Sequence, residues 1–521
     1  MRPFPRVSGF VALLALLGIF VGWLSTPAAQ QVDPSGIKII LSDQTAPAMD
    51  AGLRANDPFR PVRTAAAPGW LGGRESGGYL PGSLIVRFKP GTGAGTQRAL
   101  LAQVDGSAGP ELTYADFQVV TLGRGEDPEA AARRLSAQPD VEYAQARYRV
   151  RPMFVPNDPL YSLQWNFPAI DMERAWDINP GASTDIIVAI LDSGVAFRSG
   201  MLRFTGRAWQ RDAGGPVFPA LGPVDLPFAA APDLVGPNRF VSPHDFIWDD
   251  DLPFDLDGHG THVAGTLGQL TNNSTGGAGM AYNVRIMPVK VIDTEWDFVF
   301  NSPFVGTDDT VARGIRYAVD NGARVINMSI GRSGPPAPAV QSAISYAVSH
   351  GTFVAVAGGN EFQSGDAPPE RLAEFAPQID GMVAVGAIGR DRLRAVYSSV
   401  GGYIELVAPG GDFSRGGAPA GILQQTLNLD LSATFEGTVA QYRAPRFDSF
   451  AYYYFTGTSM ATPHVAGFAA LLMQQGITSP AAIEALMKQS ATDLGSAGRD
   501  NEYGYGLINP RAALRGMGLA K

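Results

Sequence analysis

Five short and nearly unbroken apolar runs constrain this chain more than any other feature. They read IIVAILDSG (186–194), VRIMPVKVID (284–293), ARVINMSI (323–330), GTFVAVAGG (351–359) and MVAVGAIG (382–389). A strand wetted on one side alternates apolar with polar residues. A run without alternation suits a strand buried on both faces, as in parallel sheets. Helical stretches at Thr310–Asn321 and Ala337–His350 separate the runs. Strands alternating with helices predict a doubly wound α/β architecture with a mostly parallel sheet. Two long irregular insertions, about 197–244 and 411–455, are expected on loops at its rim.

Before this region the pattern differs. SLIVRFK (83–89) alternates like a strand, Thr96–Val104 has helical spacing, and Leu112–Leu122 is extended but broken near Asp116. DPEAAARRLSAQ (127–138) has acids in its first turn and arginines later, as a helix dipole favours. Val141–Val150 returns to strand. The expectation is a small α+β unit over 78–153, ferredoxin-like, with 154–521 as the α/β domain. Residues 30–77 are rich in Pro, Gly and Ala without periodicity and read as a poorly ordered leader.

The first 29 residues carry Arg2 and Arg6, an apolar run from Val7 to Leu24, and small residues at Thr26, Ala28 and Ala29. That order predicts a signal peptide, and so a secreted or periplasmic protein. The run is also near bilayer-spanning length, which leaves an uncleaved anchor as the alternative. Once the signal is cleaved no membrane association is expected. The chain has no cysteine, so thiolate nucleophiles, disulfides and Cys-ligated zinc are excluded. A formal net charge of −9 and the lack of a basic cluster argue against nucleic acid as partner.

Three motifs carry chemistry. Asp192 ends the strand IVAILD, where a carboxylate serves a site better than a core. His259 lies in DGHGTHVAGT, with glycines on both sides that would let the backbone approach a substrate. His262 stands three residues on, but no further ligand follows at zinc spacing. Ser459, in FTGTSMATPHVAG, opens an apolar helix running to about Met473, and Pro463 falls where early helical N–H groups need no partner. A nucleophile at a helix N-terminus gains from the positive end of the dipole. Any one motif is moderately specific. The order Asp, His, Ser is far more so.

On these motifs the region from Asn157 to Leu514 resembles the subtilase family of serine peptidases, in particular its thermitase-like members. GSLIVRFK and LSAQPDVEYAQARYRV (135–150) resemble the subtilase inhibitory propeptide. The resemblance implies a serine endopeptidase acting through an acyl-enzyme, made as a self-processed zymogen. Asp192, His259 and Ser459 would be the triad, and Asn360 in VAVAGGNE the oxyanion donor. The partners implied are protein or peptide substrates and the chain's own propeptide, acting as inhibitor and folding aid, with the mature enzyme a monomer. Ser329, Ile330 and Gly331 resemble one rail of the substrate groove, and Ala357, Gly358 and Gly359 the wall of the S1 pocket. In an ungapped comparison Glu374 falls near the S1 floor, which would favour basic residues at P1, the residue on the acyl side of the scissile bond.

The resemblance also implies structural Ca²⁺. Asp158, Asp233 and Asn273 would supply side-chain oxygens, and Leu270, Thr275 and Gly277 carbonyls; a plain Asn-rich turn is the alternative. Asp245 and Asp250 resemble part of a second site, with a solvated acidic loop as the equal alternative. An inactive, peptide-binding scaffold and a membrane-anchored processing protease are the rival functional readings.

Overall fold

The computed structural model describes residues 30–31, 40–41, 79–110, 112–148, 154–210, 214–362, 370–428 and 438–516. The expected signal peptide and most of the leader lie outside the described residues. The chain divides into two compact units. One holds Val155–Met172 and Asn179–Pro510; the other holds the segment ending at Phe154, with Glu173–Ile178 and Arg511–Lys521.

In the smaller unit, β1 (Tyr79–Phe88), α1 (Ala94–Ala102), β2 (Ser107–Ala108), β3 (Gln118–Thr121), α2 (Pro128–Ser136) and β4 (Val141–Tyr148) follow in order. The sheet runs β2-β3-β1-β4 and is antiparallel throughout. Leu84, Val86, Val120 and Val141 meet Leu100, Leu101, Val104 and Leu135 in one core. Asp127 caps α2 by accepting the Glu129 N–H, and Pro128 fills the first helical position. The extended stretch expected over 112–122 is strand only over its last residues; Tyr114 has φ 60°, which breaks an extended run.

In the larger unit the central sheet is β8-β9-β5-β10-β11-β12-β13, all parallel. Its strands are β5 (Ile187–Asp192), β8 (His244–Asp245), β9 (Arg285–Lys290), β10 (Val325–Met328), β11 (Phe353–Ala357), β12 (Met382–Ile388) and β13 (Leu406–Pro409). Every residue of β10, β11, β12 and β13 is buried, which accounts for the missing polar alternation. Its longer helices are α3 (His259–Gly268), α4 (Asp308–Asp320), α5 (Pro338–Ser349), α6 (Thr458–Gln474) and α7 (Pro480–Ser490). The apolar α6 packs on β10 to β13 and on α3.

Both insertions contain regular structure instead of irregular loop. β6 (Gly200–Gly206) pairs antiparallel with β7 (Leu221–Phe228). Phe228 of this ribbon packs on Phe254 and Phe447, and Phe204 on Phe300. β14 (Ile422–Leu427) pairs antiparallel with β15 (Phe450–Phe455), and β14 is fully buried despite two glutamines. Gln424 donates to the Ala278 carbonyl and Gln425 to the Tyr452 hydroxyl, so each buried amide nitrogen keeps a partner.

Candidate active site

The carboxyl ends of the parallel strands gather the expected residues, as open α/β sheets do. Asp192 is the last residue of β5 and is fully buried. Its Oδ1 lies 2.7 Å from His259 Nδ1 and also accepts the Ser193 N–H at 2.8 Å. His259 is the first residue of α3. The glycines beside it have a structural reason distinct from substrate approach. Gly258 has φ 106°, and a Cβ on Gly260 would lie 2.1 Å from the Gly194 carbonyl and 3.1 Å from Asp192.

Asp255 organises this turn. Its Oδ1 accepts the N–H groups of Asp257 and Gly258 and the Ser193 hydroxyl, and its Oδ2 accepts the N–H and hydroxyl of Thr261. Burial works against a charged His259, but the charge and hydrogen bond of Asp192, with Asp257 and Asp255, outweigh it and raise the imidazole to about 9. His262 is different. Burial lowers it to about 3, its Nε2 faces the Ile422 and Tyr453 carbonyls at 3.1 Å, and its ring stacks on Phe455. It is a packed, neutral core residue.

Ser459 is the second residue of α6. Its hydroxyl donates to the Ser329 carbonyl at 3.1 Å, while the Ser329 hydroxyl donates to the Ser459 carbonyl at 2.7 Å. Pro463 explains the second bond. It stands in the second helical turn, not the first, and lacks the N–H that would reach back to Ser459. The Ser329 hydroxyl takes that place. Asn360 follows β11; its Oδ1 accepts both the N–H and the hydroxyl of Thr458 at 2.9 Å. This fixes the amide with Nδ2 near Gly457: a Cβ built there would lie 3.5 Å from Asn360 Nδ2 and 3.6 Å from the Ser459 nitrogen. Two N–H donors thus border one small space beside Ser459.

Ser329, Ile330 and Gly331 leave the end of β10, and Ala357, Gly358 and Gly359 the end of β11, the adjacent strand. Gly359 donates to the Thr458 hydroxyl at 3.2 Å, which ties this segment to the start of α6.

Comparison with known proteins gives the family. Residues 183–506 match the Subtilase family, and residues 66–146 match the Fervidolysin N-terminal prodomain. A thermophilic serine proteinase of Bacillus sp. (strain AK1) is 32% identical over 445 residues, covering 84% of this chain and 89% of the relative. Thermitase of Thermoactinomyces vulgaris is 30% identical, over 70% of this chain and all of the relative. The chain belongs to the subtilase family. It is a serine-type endopeptidase that carries a prodomain. Among solved structures, a protease from Pseudoalteromonas arctica superposes with a TM-score of 0.51 at 27% identity, over 70% of this chain and 99% of that one. Fervidolysin from Fervidobacterium pennivorans shares the fold, with a TM-score of 0.51 at 24% identity over 84% of this chain and 61% of that one.

The candidate metal residues of this subtilase divide. Asp158 accepts the Asn272 and Asn273 N–H groups at 2.7 and 2.9 Å, and Asn273 Nδ2 donates to Asp233 Oδ1 at 2.9 Å. Asp158, Asp233 and Asn273 therefore meet. Burial pushes the Asp233 carboxyl up to about 7, and no Lys or Arg among the described residues pairs with it or with Asp158. Leu270 and Gly277 meet Asp233 through their N–H groups, and Thr275 meets Asn273 likewise, so the expected carbonyls do not make these contacts. Among the described residues no three His, Cys, Asp or Glu side chains form a metal cluster.

Asp245 and Asp250 do not converge by their side chains. Asp245 Oδ1 accepts the Ile247 and Trp248 N–H groups, and the buried Lys290 ammonium lies nearby. Asp250 is exposed and accepts the Leu252 N–H. Lys290 itself is paired with Asp297 at 2.8 Å, and both are buried. The Lys290 charge thus acts on Asp245 from nearby while its ion pair is with Asp297, and burial still holds the Asp245 carboxyl up to about 7. Glu374, expected near the S1 floor, is paired with Arg371 at 2.8 Å.

Proposed function

We propose that Ser459 is the nucleophile, His259 its general base and Asp192 the carboxylate that orients and stabilises the imidazole. The 2.7 Å contact between Asp192 and His259 carries this reading, because it leaves Nε2 as the nitrogen available to a serine proton. The Ser459 hydroxyl, engaged with the Ser329 carbonyl in the free enzyme, would turn about χ1 toward His259 as substrate displaces that bond. Attack on the scissile carbonyl gives a tetrahedral oxyanion. Asn360 Nδ2 and the Ser459 N–H would donate to it. Collapse expels the amine, protonated by His259, and leaves an acyl-enzyme that water hydrolyses by the same roles reversed. The substrate backbone would add as a strand along Ser329–Gly331, with Ala357–Gly359 walling S1.

The matched prodomain supports synthesis as a zymogen that removes residues up to about 153 by its own activity. Export fits the N-terminal charged, apolar and small segments, and a relative from Xanthomonas campestris pv. campestris is described as an extracellular protease. Of the two calcium readings only the first fits. Asp158, Asp233 and Asn273 would hold the ion, with Asn273 turned to present oxygen; the ion would neutralise two buried carboxylates and play no part in bond cleavage. Asp245 and Asp250 do not fit, because their side chains are turned to different backbone N–H groups and a buried ammonium, Lys290, stands near Asp245.

Expression of the wild type and Ser459→Ala, followed by mass and N-terminal analysis, tests the proposal. Self-trimmed wild type labelled at Ser459 by a fluorophosphonate, and an intact unlabelled Ser459→Ala precursor, are expected. Equal trimming of both would overturn it.

A further inference from the structure

Glu370 is a buried acid that the roles above leave unused. It is 5% exposed and stands where the two strand-end segments converge. A Cβ added to Gly331 would lie 2.5 Å from its Cδ and Oε2, and one added to Gly359 would lie 3.2 Å from its Cβ. The carboxyl therefore lies against the rail after β10, and the Cβ of the same side chain lies against the wall after β11. Gly331 and Gly359 leave it room because they have no side chains.

Its partners do not neutralise it. Oε1 accepts the Arg332 N–H at 2.5 Å and the Leu372 N–H at 3.4 Å. Both neighbouring guanidinium groups are engaged elsewhere: Arg332 with Asp308 at 2.7 Å, Arg371 with Glu374 and the Gly334 carbonyl. No cationic side chain among the described residues pairs with Glu370. A buried carboxyl without a counter-charge is costly as an anion. Accordingly burial, with Glu361 adding to it against the donated backbone bonds, holds it up to about 8. The free enzyme can keep it neutral and let it ionise against an incoming cation.

We infer that Glu370 is a specificity-determining residue of the S1 pocket and selects a cationic Lys or Arg side chain at P1. The inference rests on the proposed roles of Ser459 and of the Ser329–Gly331 and Ala357–Gly359 segments. A guanidinium or ammonium entering between those segments meets the Glu370 carboxyl, with which no cation among the described residues pairs. A site built to pair with a charged group rejects analogues lacking it more sharply than an apolar slot separates sizes. The same geometry moves the acidic S1 group from Glu374, already paired, to a position four residues earlier.

The test uses self-matured enzyme, wild type and Glu370→Gln, with active sites counted by fluorophosphonate. Matched peptides differ only at P1, carrying Arg, Lys, Phe or Leu. The wild type is expected to prefer Arg and Lys in kcat/KM, and Glu370→Gln to lower the Arg-to-Phe ratio by about tenfold or more. An unchanged ratio in a variant labelled at Ser459 overturns the assignment of Glu370 alone. Absence of labelling in the wild type overturns the underlying reading and this inference with it. If Glu370→Gln does not mature, the wild type decides: competitive inhibition by benzamidine together with Arg preference supports the assignment, and a preference for Phe without inhibition overturns it.

Discussion

At the scale of single residues, the charges around His259 set the pH at which it can act. Asp192 supplies the largest opposing charge to burial, but Asp257, two residues before the imidazole, adds to it. Asp257 also accepts the His259 N–H through Oδ2, a bond an amide oxygen can keep. Burial raises Asp257 itself to about 6, so it is anionic where the enzyme would work. A general base acts when neutral, so the acid limb of kcat/KM follows the His259 pKa in the free enzyme. With that pKa near 9, activity should climb through the alkaline range. Removing one negative charge lowers the imidazole pKa, so Asp257→Asn should move the limb to lower pH by about half a unit to one unit. A limb unmoved, or moved upward, in a full pH–kcat/KM profile would contradict this. The motif around His259 was readable because few backbones tolerate DGHGTH. Asp255 and Asp257 were visible as letters only, since their roles come from which backbone N–H groups the turn aims at them.

At the scale of elements, the central strands were legible and the ribbons were not, for one reason. Burial on both faces removes polar residues from β10, β11 and β12, and the run itself declares the strand. In β6 and β7 a few aliphatic residues and one Phe per strand are spaced among Gly, Pro and charge, and Phe204 and Phe228 meet only when both strands are present. β14 falls in the stretch expected to be irregular, 411–455, yet Gln424 and Gln425 are buried there, their amides reaching Ala278 and Tyr452. Lys290 belongs here too. It ends β9 in register with Asp192, fully buried, and its ammonium reaches Asp297 and the Phe254 carbonyl at 3.2 Å. Asp297 also accepts the Trp248 indole N–H and the Thr294 N–H and hydroxyl. Lys290→Met leaves Asp297 and Asp245 without a cation and should cost about 3–5 kcal/mol, the scale for breaking a buried pair from one side. Urea denaturation in a Ser459→Ala background, where self-digestion is absent, measures it. Adding Asp297→Leu should return part of the loss, since removing both charges removes the stranded anion. A neutral Lys290→Met would show the pair to be dispensable.

At the scale of the whole molecule, the Asp158, Asp233 and Asn273 cluster joins parts of the larger unit that are far apart in sequence. Leu160 donates to the Gly276 carbonyl, Asn157 accepts the Ser274 N–H, and Asp233 accepts the Tyr452 hydroxyl at 3.1 Å. The start of the unit, the first insertion, the 270–277 loop and β15 thus share one buried, acidic junction. The sequence suggested the acids but not how little else neutralises them, because the absence of a nearby Lys or Arg is a fact of folding. An ion that binds only the folded chain stabilises it in proportion to the logarithm of its concentration over Kd, about 2.7 kcal/mol at a hundredfold excess. For a unit this large, with an unfolding entropy of about 2.1 cal/mol/K per residue, that corresponds to a rise in Tm of about 3–4 °C. EDTA should therefore lower the Tm of the Ser459→Ala protein by about that much. Ca²⁺ should restore it and Mg²⁺ should not, because Mg²⁺ demands near-ideal octahedral geometry and dehydrates reluctantly. In Asp233→Asn the Tm should be lower and indifferent to either treatment. A wild-type Tm unmoved by EDTA would remove the ion and leave the junction as a turn held by the hydrogen bonds that Asp233 accepts.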